Sequence, residues 1–129
     1  MAEKDVIRTN RAPGPFQGAP YNQAIRVGDL VFVAGQLGIR LESGDLAGPT
    51  VQEQTEQIMQ NLGAILEEAG SGLDKLVKTT VFLLDLGDFT GMNEVYARHV
   101  GAAPPARSTV GISALPSGAV VEIEAVAHV

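Results

Sequence analysis

Apolar residues along this chain recur with two different periods, and the switches between them mark its elements. "DVIRTN" gives a short first strand, and "RAPGPFQGAPYNQ", with three Pro and two Gly, an irregular loop. "AIRVGDLVFVAGQ" holds two β-branched runs split by Gly28-Asp29, the signal of a two-residue hairpin. After the turn-rich "LESGDLAGP", Thr50 opens a helix with the capping box "TVQE". Val51, Ile58, Met59, Leu62, Ile65, Leu66 and Ala69 follow at helical spacing, and Gly70 supplies a left-handed stop. "LDKLVKTTVFLLD" is a β-rich run. "DFTGMNEVYARHV" predicts a second helix capped by Asp88, with Phe89, Met92, Val95, Tyr96 and Val100 inward and Gly101 at its end. Two closing strands begin near Ala106 and Ala119 and are expected to pair as a hairpin.

The order is β-β-β-α-β-α-β-β, an α+β chain of about six strands in which two helices cover one sheet face. In the last strand Val121, Ile123, Ala125 and Ala127 point one way and suit the helix-packed core. Val120, Glu122, Glu124, Val126 and His128 point the other way. That second set is too apolar for a solvated face and too charged for a dry core. It predicts an interface between copies of the chain with polar sites in it, hence a homo-oligomer.

Arg107, Thr109, Gly111 and Ser113 share one face of the penultimate strand, Val110 and Ile112 the other. Aligning the polar faces of the expected hairpin pairs Arg107 with Glu124 and Thr109 with Glu122 through a four-residue "ALPS" loop. A two-residue loop pairs Arg107 with Glu122 instead. A cross-strand ion pair accounts for one carboxylate and leaves the other over. A planar guanidinium suits a substrate carboxylate, and a glutamate among apolar side chains suits proton transfer. The chemistry indicated is a site for a small acid, with Arg107 holding the anion and Glu122 or Glu124 handling a proton.

Composition narrows the field further. The chain has 129 residues, 45% of them hydrophobic, a net charge of −6 and no cysteine. The expectations are a single domain over 1–129, no phosphate-binding surface, and no thiol catalysis, disulfide or cysteine-zinc site. The first residues, "MAEKDVIRTN", lack an apolar leader, and a cytoplasmic location is expected. His99 sits at a helix end, His128 has no partner at metal-ligand spacing, and Ser108 and Ser113 lack a nucleophile elbow.

At "APYNQAIRVGDLVFVAGQ", "EEAGSGLDKLVKTTVFLLDLGDF", "MNEVYARHV", "PPARSTV" and "ALPSGAVVEIEAVA" the chain resembles the Rid (YjgF-type) reactive-intermediate deaminases, also described as L-PSP endoribonuclease-like. The resemblance runs from about Pro20 onward. It implies a chorismate-mutase-like fold and a homotrimer with a central barrel, helices outside and active clefts between subunits. The implied activity is hydrolysis of enamines and imines such as 2-aminoacrylate to 2-keto acids and ammonia, with no cofactor and no metal. The family's carboxylate-binding arginine falls on Arg107 and its water-orienting glutamate on Glu122. Tyr21, Asn93, Gly35 and Thr109 match substrate-pocket positions, and Thr109 opposite Glu122 agrees with the four-residue register.

The chain departs from the family pattern at its "APY" turn, at Ala34 where a serine is common, and at Gly111, where a missing side chain is expected to enlarge the pocket. Two other readings use the same residues differently. One is a non-catalytic binder of small carboxylates such as keto acids. The other is an endoribonuclease, which the acidic charge and the lack of a histidine pair disfavour.

Overall fold

The computed structural model describes residues 3–129. Six strands, β1 (Lys4–Ile7), β2 (Ala24–Val27), β3 (Leu30–Gln36), β4 (Leu76–Leu83), β5 (Ala106–Gly111) and β6 (Val121–His128), form one sheet in the order β1-β2-β3-β6-β4-β5. Two helices, α1 (Val51–Glu68) and α2 (Phe89–Val100), pack side by side on one face. No described helix is long and apolar enough to cross a membrane.

Both ends of α1 are fixed by local chemistry. Glu53 N–H donates to the Thr50 hydroxyl at 3.1 Å, and the Glu53 carboxylate accepts from the Thr50 amide at 3.2 Å, completing the capping box. At the other end Gly70 takes φ +81°, the Ser71 amide donates to Leu66 O and the Gly70 amide to Glu67 O. That is a Schellman closure, and it needs the left-handed residue that glycine supplies. The apolar stripe between them is buried: Ile58, Met59, Leu62, Ile65 and Leu66 have no exposed surface. They meet Val31, Val81, Leu83, Val121, Ile123 and Ala127 of the sheet, each large side chain contributing roughly 1.5–3 kcal/mol by leaving water.

The start of α2 differs from the expectation. Asp88 makes no side-chain cap; the cap lies one turn earlier, where Asp85 Oδ1 accepts from Gly87 N–H at 2.8 Å above a 3-10 turn, Leu86–Asp88. Met92, Val95, Tyr96 and Val100 face inward as expected, but Phe89 is 43% exposed.

The larger correction concerns the last two strands. They do not form a hairpin. β5 pairs in parallel with β4, and β6 inserts antiparallel between β3 and β4. The parallel pairing of β5 has its cause in α2. A strand that returns through a helix comes back parallel to its predecessor, so β4-α2-β5 forms a crossover unit and β5 takes the outer edge. β3-α1-β4 is likewise a parallel crossover, opened to admit β6. Thr109 consequently lies beside Val81, and Arg107 beside Thr79, not opposite either glutamate.

Candidate active site

Alternation along β6 sends Val121, Ile123, Ala125 and Ala127 into the core and leaves Glu122 half-buried on the opposite, open face. β3 takes three steps from Val33 to Gln36 while β6 takes two from Ala125 to Ile123, a bulge that places Ala34 and Gly35 at the end of the open face. The Glu122 side chain occupies the space above Gly35. A Cβ on that residue would stand 2.8 Å from Glu122 Cδ and Oε1, so glycine is what lets the carboxyl lie there.

A pocket of about 90 Å³ opens at this point, with Gly35, Glu122, Tyr21 and Phe16 among its walls. Its outer wall is irregular chain, yet well held. The buried amide of Gln23 donates to the carbonyls of Thr9, Ala12 and Pro13 and accepts from the Thr9 amide, and the Tyr21 hydroxyl accepts from the Phe16 amide. Burial, reinforced by the neighbouring charge of Glu124, pushes the Glu122 carboxyl above its ordinary value of 4.5. A carboxyl in that condition is suited to exchange protons with a bound molecule.

Arg107 stands elsewhere. Its rung partner Thr79 is fully buried and hydrogen-bonded to Tyr96 of α2, which places Arg107 on the helix face of the edge strand. The guanidinium lies over two rings, its carbon 4.9 Å from the Tyr96 centroid and 5.5 Å from that of Phe89. Met92 Sδ is 4.0 Å from Nη1. Among the described residues it has no carboxylate partner; the ion pairs there are Arg11–Glu67 and His99–Glu56. Thr109 shares its face one rung further on, and Asn93 is half-buried on α2 one turn after Phe89.

The candidate residues therefore fall into two separate clusters. Tyr21, Gly35 and Glu122 gather on one side; Arg107, Thr109 and the first turns of α2 gather on the other. Glu122 lies beside Phe82 and Arg107 beside Thr79, three residues apart along β4 and on opposite faces. Their backbones are roughly 10 Å apart along the strands and another ~10 Å across them, which no small acid spans within one copy.

The family model described as Endoribonuclease L-PSP matches residues 10–129. This chain belongs to that family. Among relatives of this L-PSP chain, a RutC family protein of Pyrococcus abyssi is 48% identical over 125 residues, covering 97% of each chain. The human protein named 2-iminobutanoate/2-iminopropanoate deaminase is 42% identical over 122 residues, 95% of this chain and 88% of its own. A solved structure of RidA from a Psychrobacter species superposes with a TM-score of 0.91 at 40% identity, covering 97% of this chain and 99% of that one. The six-stranded mixed sheet with two helices on one face is thus the L-PSP fold.

Several residues of this L-PSP chain escaped sequence reasoning. Phe89 and Tyr96 read as plain core positions, and Gln23 as loop, because nothing local says that an arginine or a distant carbonyl will meet them. Gly111 does not enlarge a pocket: Leu86 fills the space above it, its Cγ 3.1 Å from where a Cβ would stand. His99 bonds Glu56 Oε1 at 2.9 Å between the helices, and it holds the Glu56 carboxyl below its ordinary value. Among the described residues, no three His, Cys, Asp or Glu side chains gather to hold a metal ion.

Proposed function

We propose that this protein hydrolyses small 2-imino and 2-enamino acids of the 2-aminoacrylate kind to 2-keto acids and ammonia, in clefts formed between the copies of a homotrimer. The observation that carries the reading is the pair of complementary half-sites: a guanidinium with unused donors on one face and a desolvated carboxyl in a small pocket on the other. The human relative's name, an iminobutanoate and iminopropanoate deaminase, points to the same substrate class.

Association of copies is supported by what the sheet leaves uncovered. Phe32 is 45% exposed, Leu30 42% and Val110 41% on the open face, beside Phe82 and Val126, and β5 ends the sheet with an unpaired edge. A ring of copies covers such surfaces symmetrically. In that ring Arg107, with Thr109 and Asn93 beside it, comes from one copy, and Tyr21, Gly35 and Glu122 come from the next.

The chemistry then runs with water alone as co-reactant. Arg107 grips the substrate carboxylate through two parallel N–H···O bonds. An enamine first takes a proton on its terminal carbon and becomes the imine. Glu122 orients a water against the C=N carbon and accepts its proton as the C–O bond forms, while the C=N electron pair moves to nitrogen. The carbinolamine expels ammonia, its nitrogen taking the proton back from Glu122 while its hydroxyl proton passes to solvent water, which balances the proton the enamine took up, and the 2-keto acid leaves. Cleavage of RNA finds no such support: His99 is engaged with Glu56, His128 lies at the far end of β6, and the chain is acidic.

The test generates imino acids with an amino-acid oxidase in the presence of semicarbazide, with and without the protein. Wild type is expected to suppress semicarbazone formation, and Arg107→Ala to lose about 10²-fold or more in kcat/KM, the worth of two charge-assisted hydrogen bonds. No suppression by wild type across small and large imines overturns the catalytic reading and leaves a carboxylate binder.

A further inference from the structure

Two polar groups beneath Arg107 have no part in the reaction as written. Thr79 is fully buried in β4, and Tyr96 is 5% exposed on α2. Their hydroxyls share a 2.6 Å hydrogen bond inside the core. Valine and phenylalanine would fill the same volumes without burying any polar atom, and a buried hydroxyl is tolerated only when it is bonded. The bond ties the Tyr96 ring to the strand next to Arg107, on the rung where Thr79 and Arg107 are partners.

The arginine is held in an unusual manner. A carboxylate would fix it by occupying its N–H donors. Ring faces hold a guanidinium by its flat side and leave the in-plane donors free. Of the two rings here, Phe89 is the more distant and is 43% exposed, whereas Tyr96 is nearer, buried and tethered.

We propose that Thr79 and Tyr96 act together as a positioning pair for Arg107, the shared hydroxyl bond fixing the ring and the ring fixing the direction in which the guanidinium presents its fork. The inference rests on Arg107 as the carboxylate anchor and deepens that reading. Thr79 and Tyr96 touch no substrate; they set the affinity for its carboxylate through the arginine.

The experiment measures KM and kcat separately in the semicarbazide-coupled assay, and the Kd of 2-oxobutanoate, for Tyr96→Leu, Tyr96→Phe, Thr79→Val, Thr79→Ser and Arg107→Ala. Tyr96→Leu is expected to raise KM and Kd about tenfold, the scale of a desolvated cation–π contact, with kcat within about threefold. Thr79→Val and Tyr96→Phe keep their volumes and are expected to raise KM by less. Thr79→Ser restores the hydroxyl and is expected to return KM to the wild-type value.

Failure of Tyr96→Leu to fold leaves the decision to the two conservative variants. Unchanged KM and Kd in Thr79→Val and Tyr96→Phe overturn the inference. So does a fall in kcat alone, or a Thr79→Ser protein as impaired as Thr79→Val. If Arg107→Ala itself binds 2-oxobutanoate normally, the anchor reading fails first, and the positioning pair falls with it.

Discussion

Replacing Gly35 by alanine isolates the placement of one carboxyl group. The added methyl would stand 2.8 Å from Cδ and Oε1 of Glu122 and 3.2 Å from Cγ. Ordinary contact begins at 3.4 Å, so the carboxyl must retreat by about 0.6 Å or turn away. Gly35 is not among the glycines with positive φ, so alanine brings no backbone strain and the effect is one of crowding. A misplacement near 1 Å at a reacting group costs up to ~10²-fold in rate. Gly35→Ala is therefore expected to lower kcat roughly 10- to 100-fold, about 1.4–2.7 kcal/mol of barrier. Binding of 2-oxobutanoate should weaken little, because Arg107 belongs to the other half-site. Thermal unfolding should be almost unchanged, a strand glycine giving way to a residue with less backbone freedom to lose. Steady-state rates in the coupled assay, read beside the Kd and Tm, decide it. A Gly35→Ala protein that turns over within a factor of about 2 of wild type, while Glu122→Gln does not, would refute the role assigned to this close approach.

Two further variants probe the same structure. Glu122→Gln should lose about 10²–10⁴-fold in turnover. It should also unfold at a higher temperature than wild type near neutral pH, because the raised carboxyl contributes stability that is complete below its ordinary value of 4.5 and is lost as pH rises through the raised value. The Tm difference should close as pH is lowered to 4.5, and one that widens instead contradicts the burial argument. Thr50→Ala removes the hydroxyl that accepts from Glu53 N–H and should cost about 1 kcal/mol in urea unfolding with kcat intact.

Elements written in local chemistry were legible from the sequence. The Gly28-Asp29 turn, the Thr50–Glu53 box, the Gly70 stop and the two faces of β6 each follow from residues within a turn or a rung of one another. Pairing between distant strands was not. The turn-rich "ALPSG" between β5 and β6 looks like a hairpin because a hairpin is the shortest solution, but β6 instead enters the sheet between β3 and β4, where Val121, Ile123, Ala125 and Ala127 join the core. A twelve-residue helix between two strands is long enough for β5 to return parallel to β4, but nothing near β6 in the sequence says that it will enter between β3 and β4. Arg107 and Glu122 stand out in the sequence as charges within apolar strands, but they lie on opposite faces of the sheet, because β5 pairs with β4 and not with β6. The role of Phe89 depends on where an edge strand eighteen positions later comes to rest, and the space over Gly111 depends on Leu86, from the loop before α2.

Under the proposed function, the separation of Arg107 and Glu122 on opposite faces also governs when the chain becomes an enzyme at all. In the proposed ring a newly made, solitary copy holds an anion grip with no base and a base with no grip. It is inert towards the reactive molecules around it until it meets its own kind. At dilution the rate should then fall faster than in proportion to protein present, because each loss of association removes whole clefts. Abundance, rather than any added regulator, becomes the quantity that turns the activity on.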